Sequence, residues 1–387
     1  MIQHPLLIIG VLLAIELCVL GLSKYTRTKH LFELLPSVFW IYFLPMLAAT
    51  FGIIAPKSPV YSLMTTWLLP ASLILLLMPV DIRAILRLGP LAVAMFFIGA
   101  LGIICGAAIS FSLFKPLVGS QFWAGFGALS ASWTGGSANM IAVKEALSVP
   151  DQVFAPMVIV DTVVPYLWMG MLIAGVSMQA AFDRWNRSDR RIIEELGSRI
   201  ETAHIKHDSQ TNISTILILL AIAAAGSGLA HLLAQQLPVI KDVASPYTWT
   251  IITVSLLGIL LSLTPLRRLG QNSASSIGNY LLYFVLTAIG AKASVASIGS
   301  ALLLIAAGLL IVLVHAAFLL TAARIFKAPL FLVTAASQAN IGGVASAPVV
   351  AEVYHPGLAS VGLLLAILGN IFGTYLGICC AHICRLI

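Results

Sequence analysis

Two short polar stretches interrupt an otherwise apolar chain, and they hold the residue types best suited to binding. Around Gly135-Gly136 stand Ser130, Ser132, Thr134, Ser137 and Asn139; around Gly342-Gly343 stand Ser337, Gln338, Asn340 and Ser346. These are the only two Gly-Gly dipeptides in the sequence. Each glycine lowers helix propensity by about 1 kcal/mol, so each pair predicts a break into two half-helices of about twelve residues. Close packing is the plain alternative for glycine in a membrane helix. Polar neighbours at both sites favour a polar cavity instead, because non-helical backbone at membrane depth must be buried in protein or reached by water.

The half-helices carry complementary charge. The second ones begin near Ser137 and Val344, and a helix N-terminus offers unpaired N–H groups and about half a positive charge. Two such ends facing one point favour an anion, most simply a carboxylate. The C-terminal ends of the first half-helices expose carbonyls, which suit Na⁺. The expected substrate contacts are therefore Thr134, Gly135, Gly136, Ser137, Asn139, Asn340, Gly342, Gly343 and Ser346.

Asp161 lies about ten residues into an apolar segment, roughly 15 Å by helical rise, and so near mid-membrane. A charged carboxylate is costly there, so it is expected to be paired, protonated or bound to a cation; a structural carboxyl bonded to a neighbouring helix is the alternative. The coupling-ion expectation is Asp161, Gln338, Asn370 and Ser132, with Na⁺ at Asp161, Asn139 and Gln338. Lys144, Glu145 and Glu352 read as interfacial or functional, with Lys144 snorkelling to the surface. His315 reads as a satisfied buried imidazole, Glu16 and Lys292 as interfacial, and Trp133 as a packed aromatic or a cavity wall. The five cysteines (Cys18, Cys105, Cys379, Cys380, Cys384) read as buried thiols; Cys380, His382 and Cys384 match no common zinc spacing.

The elements that must position these residues follow from hydropathy. Of 387 residues, 60% are hydrophobic and 9% charged, against roughly 25% charged in a soluble domain. Twelve apolar segments are expected, six on each side of one polar stretch from Asp183 to Asn212. The run Pro5 to Leu22 reads as the first membrane helix rather than a cleaved leader. The net charge of +7 sits in short loops, where it signals topology, so no nucleic-acid partner is implied.

The halves share a register. Gly136 to Gly343 and Glu145 to Glu352 are both offsets of 207, and Asp161 to Asn370 is 209. The expected fold is an all-α polytopic membrane protein of two inverted repeats of six elements. Residues 1–180 form the first repeat, 181–212 a polar cytoplasmic linker and 213–387 the second repeat. Loops holding Lys24, Arg27 and Lys29, then Arg83 and Arg87, then Arg184 and its neighbours, then Arg267 and Arg268, then Arg324 and Lys327 fall on one face only if the two Gly-Gly segments are re-entrant. That gives about ten crossings plus two hairpins, with two broken crossing helices as the alternative. Inverted-repeat transporters place their binding sites at such interruptions.

The stretches "LSASWTGGSANMIAVKEAL" and "ASQANIGGVASAPVVAEVYHPGLASVGLLLAILGN" resemble the YjcL-like membrane proteins, a domain of unknown function (eight-one-nine), over essentially the whole chain. That family is similar in architecture to cation/proton antiporters, bile acid:sodium symporters and citrate and glutamate:sodium symporters. The stretch "LLLMPVDIRAILRLGPLAVAM" also resembles the basic interfacial helix before the third membrane helix of bile acid:sodium symporters. The resemblance implies an elevator-type secondary transporter with Asn139, Asp161, Gln338 and Asn340 as counterparts of polar coupling residues.

The expected function is Na⁺- or H⁺-coupled transport of a small organic anion, amino acid or short peptide. An Na⁺/H⁺ antiporter without organic substrate is the alternative, and a channel or an intramembrane enzyme stands behind both. Motifs of the form H-E-x-x-H, G-x-S-x-G and G-x-x-x-x-G-K-[ST] are absent from the sequence, so an enzyme is not expected. No cofactor is expected beyond the coupling ion. The expected partners are a small-molecule substrate, the lipid bilayer and, by analogy of fold, a second copy in a homodimer. The expected location is the bacterial inner membrane.

Overall fold

Helix-start chemistry is legible along the computed structural model, which describes residues 1–25, 32, 37–189, 193, 212–240, 245–293 and 301–387. Arg27, Lys29 and most of the polar linker, including Arg190, Arg191, Glu194, Glu195 and Glu201, lie outside the described residues. Helix α1 (Pro5–Ser23) opens on proline, whose missing N–H is no loss in a first turn. After α2 (Ser37–Thr50), Ser58 caps α3 (Pro59–Leu77) by accepting from Val60 N–H at 3.4 Å. Asp81 caps the short α4 (Ile82–Arg87) through Ala84 N–H at 3.1 Å, so the basic segment before α5 (Gly89–Val118) is indeed a helix.

The Gly-Gly sites are breaks. Helices α6 (Trp123–Gly135) and α7 (Ser137–Ala146) are separated by Gly136. Further along come α8 (Asp151–Ala174) and the short α9 (Gln179–Asn186). The second half supplies α10 (Ile213–Ala234), capped by Asn212, and α11 (Pro246–Ser262), with a capping box between Ser245 and Thr248. After α12 (Gln271–Lys292) and α13 (Ala301–Phe326), α14 (Leu330–Ile341) and α15 (Gly343–Tyr354) flank the second break, and α16 (Ala359–Leu386) ends the chain.

Within the described residues, each of the twelve expected apolar segments is largely helical. Among the described residues, eight helices are long and apolar enough to cross a membrane. The protein is a multi-pass membrane protein. Helices α2 and α11, at 14 and 17 residues, and the four half-helices are shorter.

The chain forms two compact units. Unit 1 comprises residues Met1–Pro79, Lys144–Thr162 and Ser209–Leu302. In it α12 packs on α1, α2 and α3, while α10 packs on α11 and α3. Its core includes Ile8, Leu12, Tyr61, Met64, Ala288 and Ala291. Unit 2 comprises Val80–Val143, Val163–Asp208 and Leu303–Ile387. There α16 lies along α6 and also meets α5, α14 and α15, and α14 packs on α5, α6 and α15. Each unit therefore draws on both halves of the sequence: α1–α3 with α10–α12 in one, and α5–α6 with α14–α16 in the other.

Three expectations change. Glu16 is buried within α1 at 3% exposure rather than interfacial. Lys144 does not snorkel, because ion pairs hold its side chain at 4% exposure. Cys18 and Cys379 are exposed on their helices rather than buried, while Cys380 and Cys384 are buried.

Candidate functional site

The two glycines of each pair have different work. Gly136 has φ +86° and Gly343 has φ +65°, a backbone region that costs an L-residue about 1–2 kcal/mol and glycine almost nothing. Space stands beside both, since a methyl built on Gly343 would meet nothing within 4 Å and one on Gly136 would meet only Asn370 Oδ1 at 3.5 Å. Gly135 and Gly342 are crowded instead. A methyl on Gly135 would sit 2.5 Å from the Gly369 carbonyl, and one on Gly342 would collide with Ser346 and Gln338. One glycine of each pair thus turns the chain and the other admits a neighbour.

At the first break Asn139 is fully engaged. Its amide nitrogen donates to the Gly135 carbonyl and, at 3.5 Å, to the Asn370 carbonyl, while its oxygen accepts from Thr374 Oγ1. Thr134 spends its hydroxyl on the Ser130 carbonyl at 2.8 Å. Helix α6 is buried from Ala124 to Gly135, Ser130 and Ser132 included, whereas Gly136, Ser137 and Ala138 are half-buried. Asn370, also half-buried, is brought to this break together with Asn139.

The second break has unmet polar demand. Every residue of α14 from Leu330 to Ile341 is buried. Gln338 Nε2 reaches across Gly342 to Ser346 Oγ at 2.8 Å. Asn340 Nδ2 donates to the carbonyls of Phe96 at 3.1 Å and Ala336 at 3.0 Å, which fixes its orientation, since a flipped amide would face two acceptors with an oxygen. Among the described residues, Gln338 Oε1 and Asn340 Oδ1 here, and Trp133 Nε1 on α6, are each buried without a hydrogen-bond partner. Such atoms are rare and costly, about 1–3 kcal/mol each. The two amide oxygens are hard donors that fit a small cation or a ligand N–H, and the indole N–H fits an anion.

A bonded chain adjoins this break. His315, fully buried, bonds the Gly99 carbonyl through Nδ1 at 2.8 Å and Ser337 Oγ through Nε2 at 2.9 Å. A carbonyl only accepts, so Nδ1 carries the proton and Ser337 donates to Nε2. Trp168 Nε1–H donates to the same hydroxyl at 2.8 Å. The imidazole is satisfied, as its setting in an apolar helix suggested. Missed from sequence were the α5 carbonyls of Phe96 and Gly99, and Thr374; no side-chain pattern announces a backbone acceptor, although Gly99 in a long helix marks a close approach.

Asp161 is half-buried in the part of α8 that belongs to unit 1, whereas Asn139, Gln338, Asn340 and Asn370 all belong to unit 2. Unit 1 also holds an ion cluster where the ends of α7, α8 and α12 meet. Lys144 Nζ lies 2.8 Å from Glu145 Oε1 and 3.0 Å from Asp151 Oδ1, and Lys292 lies 3.9 Å from Glu145. Burial pushes the Glu145 carboxyl up, but Lys144 and Lys292 outweigh it and hold it below the usual range. Burial lowers Lys144, and the two carboxylates more than offset this, so it is raised. Glu352 does something else, accepting from Gly357 and Ala359 N–H at 3.0–3.3 Å where α16 begins.

These breaks lie within a sequence that has relatives. The family model described as "Protein of unknown function (DUF819)" matches residues 10–387. The chain belongs to this family. It is 23% identical over 347 residues to the "Uncharacterized membrane protein YjcL" of Bacillus subtilis (strain 168), an alignment covering 86% of each chain. In this DUF819 chain the match spans both breaks and every helix from α2 onward.

Proposed function

We propose that the chain is a secondary active transporter that moves a small organic anion, amino acid or short peptide, coupled to Na⁺ or H⁺. The observation that carries this reading is the pair of glycine-broken helices in one unit, with the buried, unpartnered Gln338 Oε1 and Asn340 Oδ1 at one of them. Half-exposed N-terminal turns at Ser137 and Gly343 would take the substrate carboxylate through N–H groups. Thr134, Gly135, Gly136, Asn139, Gly342 and Ser346 would line the same site. Gln338 and Asn340 would offer oxygens to the coupling ion, with Ser132 and Asn370 as its further polar contacts, and Asp161 of unit 1 would be a cation or proton site in its own right. No cofactor takes part.

The division into 1–180, 181–212 and 213–387, with about ten crossings and two hairpins in inverted repeats, belongs to the same reading. It is supported by the composition of the units, each of which draws elements from both halves of the sequence. In an elevator mechanism the unit with both breaks is the carrier. The bilayer is the expected host, a homodimer the expected assembly, and neither nucleic acid nor chemical catalysis is involved.

The test is uptake by proteoliposomes across a panel of labelled carboxylates, amino acids and dipeptides under Na⁺ or H⁺ gradients. Uptake driven by one gradient and reduced at least tenfold by Asn340→Ala supports the proposal; none with any substrate, from well-folded protein, rejects it. Asp161 in a membrane helix favours a second reading, Na⁺/H⁺ antiport, which gradient-driven exchange without organic substrate would select.

A further inference from the structure

Beside α9, unit 2 holds a cavity of about 370 Å³, walled by Trp168 and Met171 of α8, Phe182 and Trp185 of α9, Leu319 of α13 and Val333 of α14. That volume falls within the roughly 300–1,000 Å³ of sites that hold a discrete ligand. Its walls are apolar save for a few groups such as Thr334 and Ser337. Both hydroxyls are already engaged, Thr334 with the Leu330 carbonyl and Ser337 with His315 and Trp168. The interior suits a hydrocarbon chain and would strip water from a charged ligand without replacing it.

The rim has the opposite character. Arg324 Cζ stands 4.9 Å from the Trp185 ring centroid, and its Nη1 donates to the Trp185 carbonyl at 3.1 Å. The same indole therefore lines the cavity and carries a guanidinium. Arg184, Arg187 and Lys327 are exposed at the ends of α9 and α13, and Asn186 ties those ends together by donating to the carbonyls of Ala323 and Ala328 at 3.1 and 2.9 Å. Among the described residues, four basic side chains outnumber the carboxylates Asp183 and Asp189, and Asp183 accepts from Leu330 N–H at 2.9 Å.

We infer that this is a binding site for an anionic phospholipid of the bilayer, with an acyl chain in the cavity and the phosphate at Arg324 and Arg184. An apolar slot under a cluster of arginines and an interfacial tryptophan has the complementarity that such a lipid requires. The site needs only that unit 2 lie in a bilayer and does not depend on the transport reading.

The experiment titrates purified, delipidated protein in detergent with phosphatidylglycerol, phosphatidylcholine or glycerol 3-phosphate, and follows thermal unfolding and native mass spectra. Saturable stabilisation by phosphatidylglycerol over phosphatidylcholine, with no response to glycerol 3-phosphate, is expected. Arg184→Gln and Arg324→Gln, both at exposed positions, should each weaken phosphatidylglycerol about fivefold, the equivalent of roughly one surface cation. Ala316→Phe, which narrows the cavity, should weaken both lipids, and its elution profile reports whether it folds. Equal affinity for the two lipids, an unchanged double arginine variant, or a response to glycerol 3-phosphate alone overturns the inference. Loss of lipid preference with uptake intact, or the reverse, separates this site from the transport site.

Discussion

Lys144 shows how far one side chain's surroundings decide its role. Flanked by Glu145 and reaching Asp151, it is buried in unit 1. Lys144→Met would leave two partly buried carboxylates without their main cation, a loss of about 3 kcal/mol by comparison with broken buried pairs. The pH dependence should invert as well. In the wild type Glu145 is held below the usual carboxylate range, so its stabilisation is present at neutral pH and is lost as pH falls through that depressed value. In Lys144→Met burial dominates and raises the carboxyl, so the variant should gain stability on acidification. Thermal midpoints between pH 4 and 8 check this, and parallel profiles for the two proteins would contradict it.

At the scale of the element, the broken helices depend on two distinct glycine properties. Gly343→Ala should cost about 1–2 kcal/mol, because only the positive φ is penalised and the methyl meets open space. Gly135→Ala should cost more, about 2–3 kcal/mol, because its methyl drives into the Gly369 carbonyl and Gly373 on α16. Denaturation of the two variants in one detergent ranks them, and the reverse order would mean that α6 and α16 do not approach as described. Both breaks were legible from composition, since paired glycines weaken a helix whatever surrounds it. Which glycine turns and which one packs was not: at the first break that depends on α16, more than 230 residues away in sequence, and at the second on the rotamers of Gln338 and Ser346.

For the whole molecule, ligand linkage is the informative quantity. If Na⁺ is the coupling ion, it should raise the unfolding midpoint where K⁺ does not, by up to about 2.7 kcal/mol at a hundred times its dissociation constant. Asp161→Asn should abolish the shift if that carboxylate holds the ion; a shift retained in Asp161→Asn and lost in Gln338→Leu would move the ion to the second break. A pH dependence of the midpoint that is indifferent to Na⁺ and is removed by Asp161→Asn would select H⁺ coupling.

What sequence alone determined are properties that need no neighbour: a membrane solvent from 60% apolar residues, twelve helical segments from the length of apolar runs, and two breaks from glycine's propensity. Tertiary structure decided which groups meet. Asn340 finds the Phe96 carbonyl 244 residues away, Trp168 and His315 converge on Ser337, Glu16 is buried where its place in the chain suggested an interface, and the two halves contribute jointly to both units. Hydropathy is a sum over local side chains, whereas a hydrogen-bond partner on another helix depends on crossing geometry and depth. Only the packed chain specifies those.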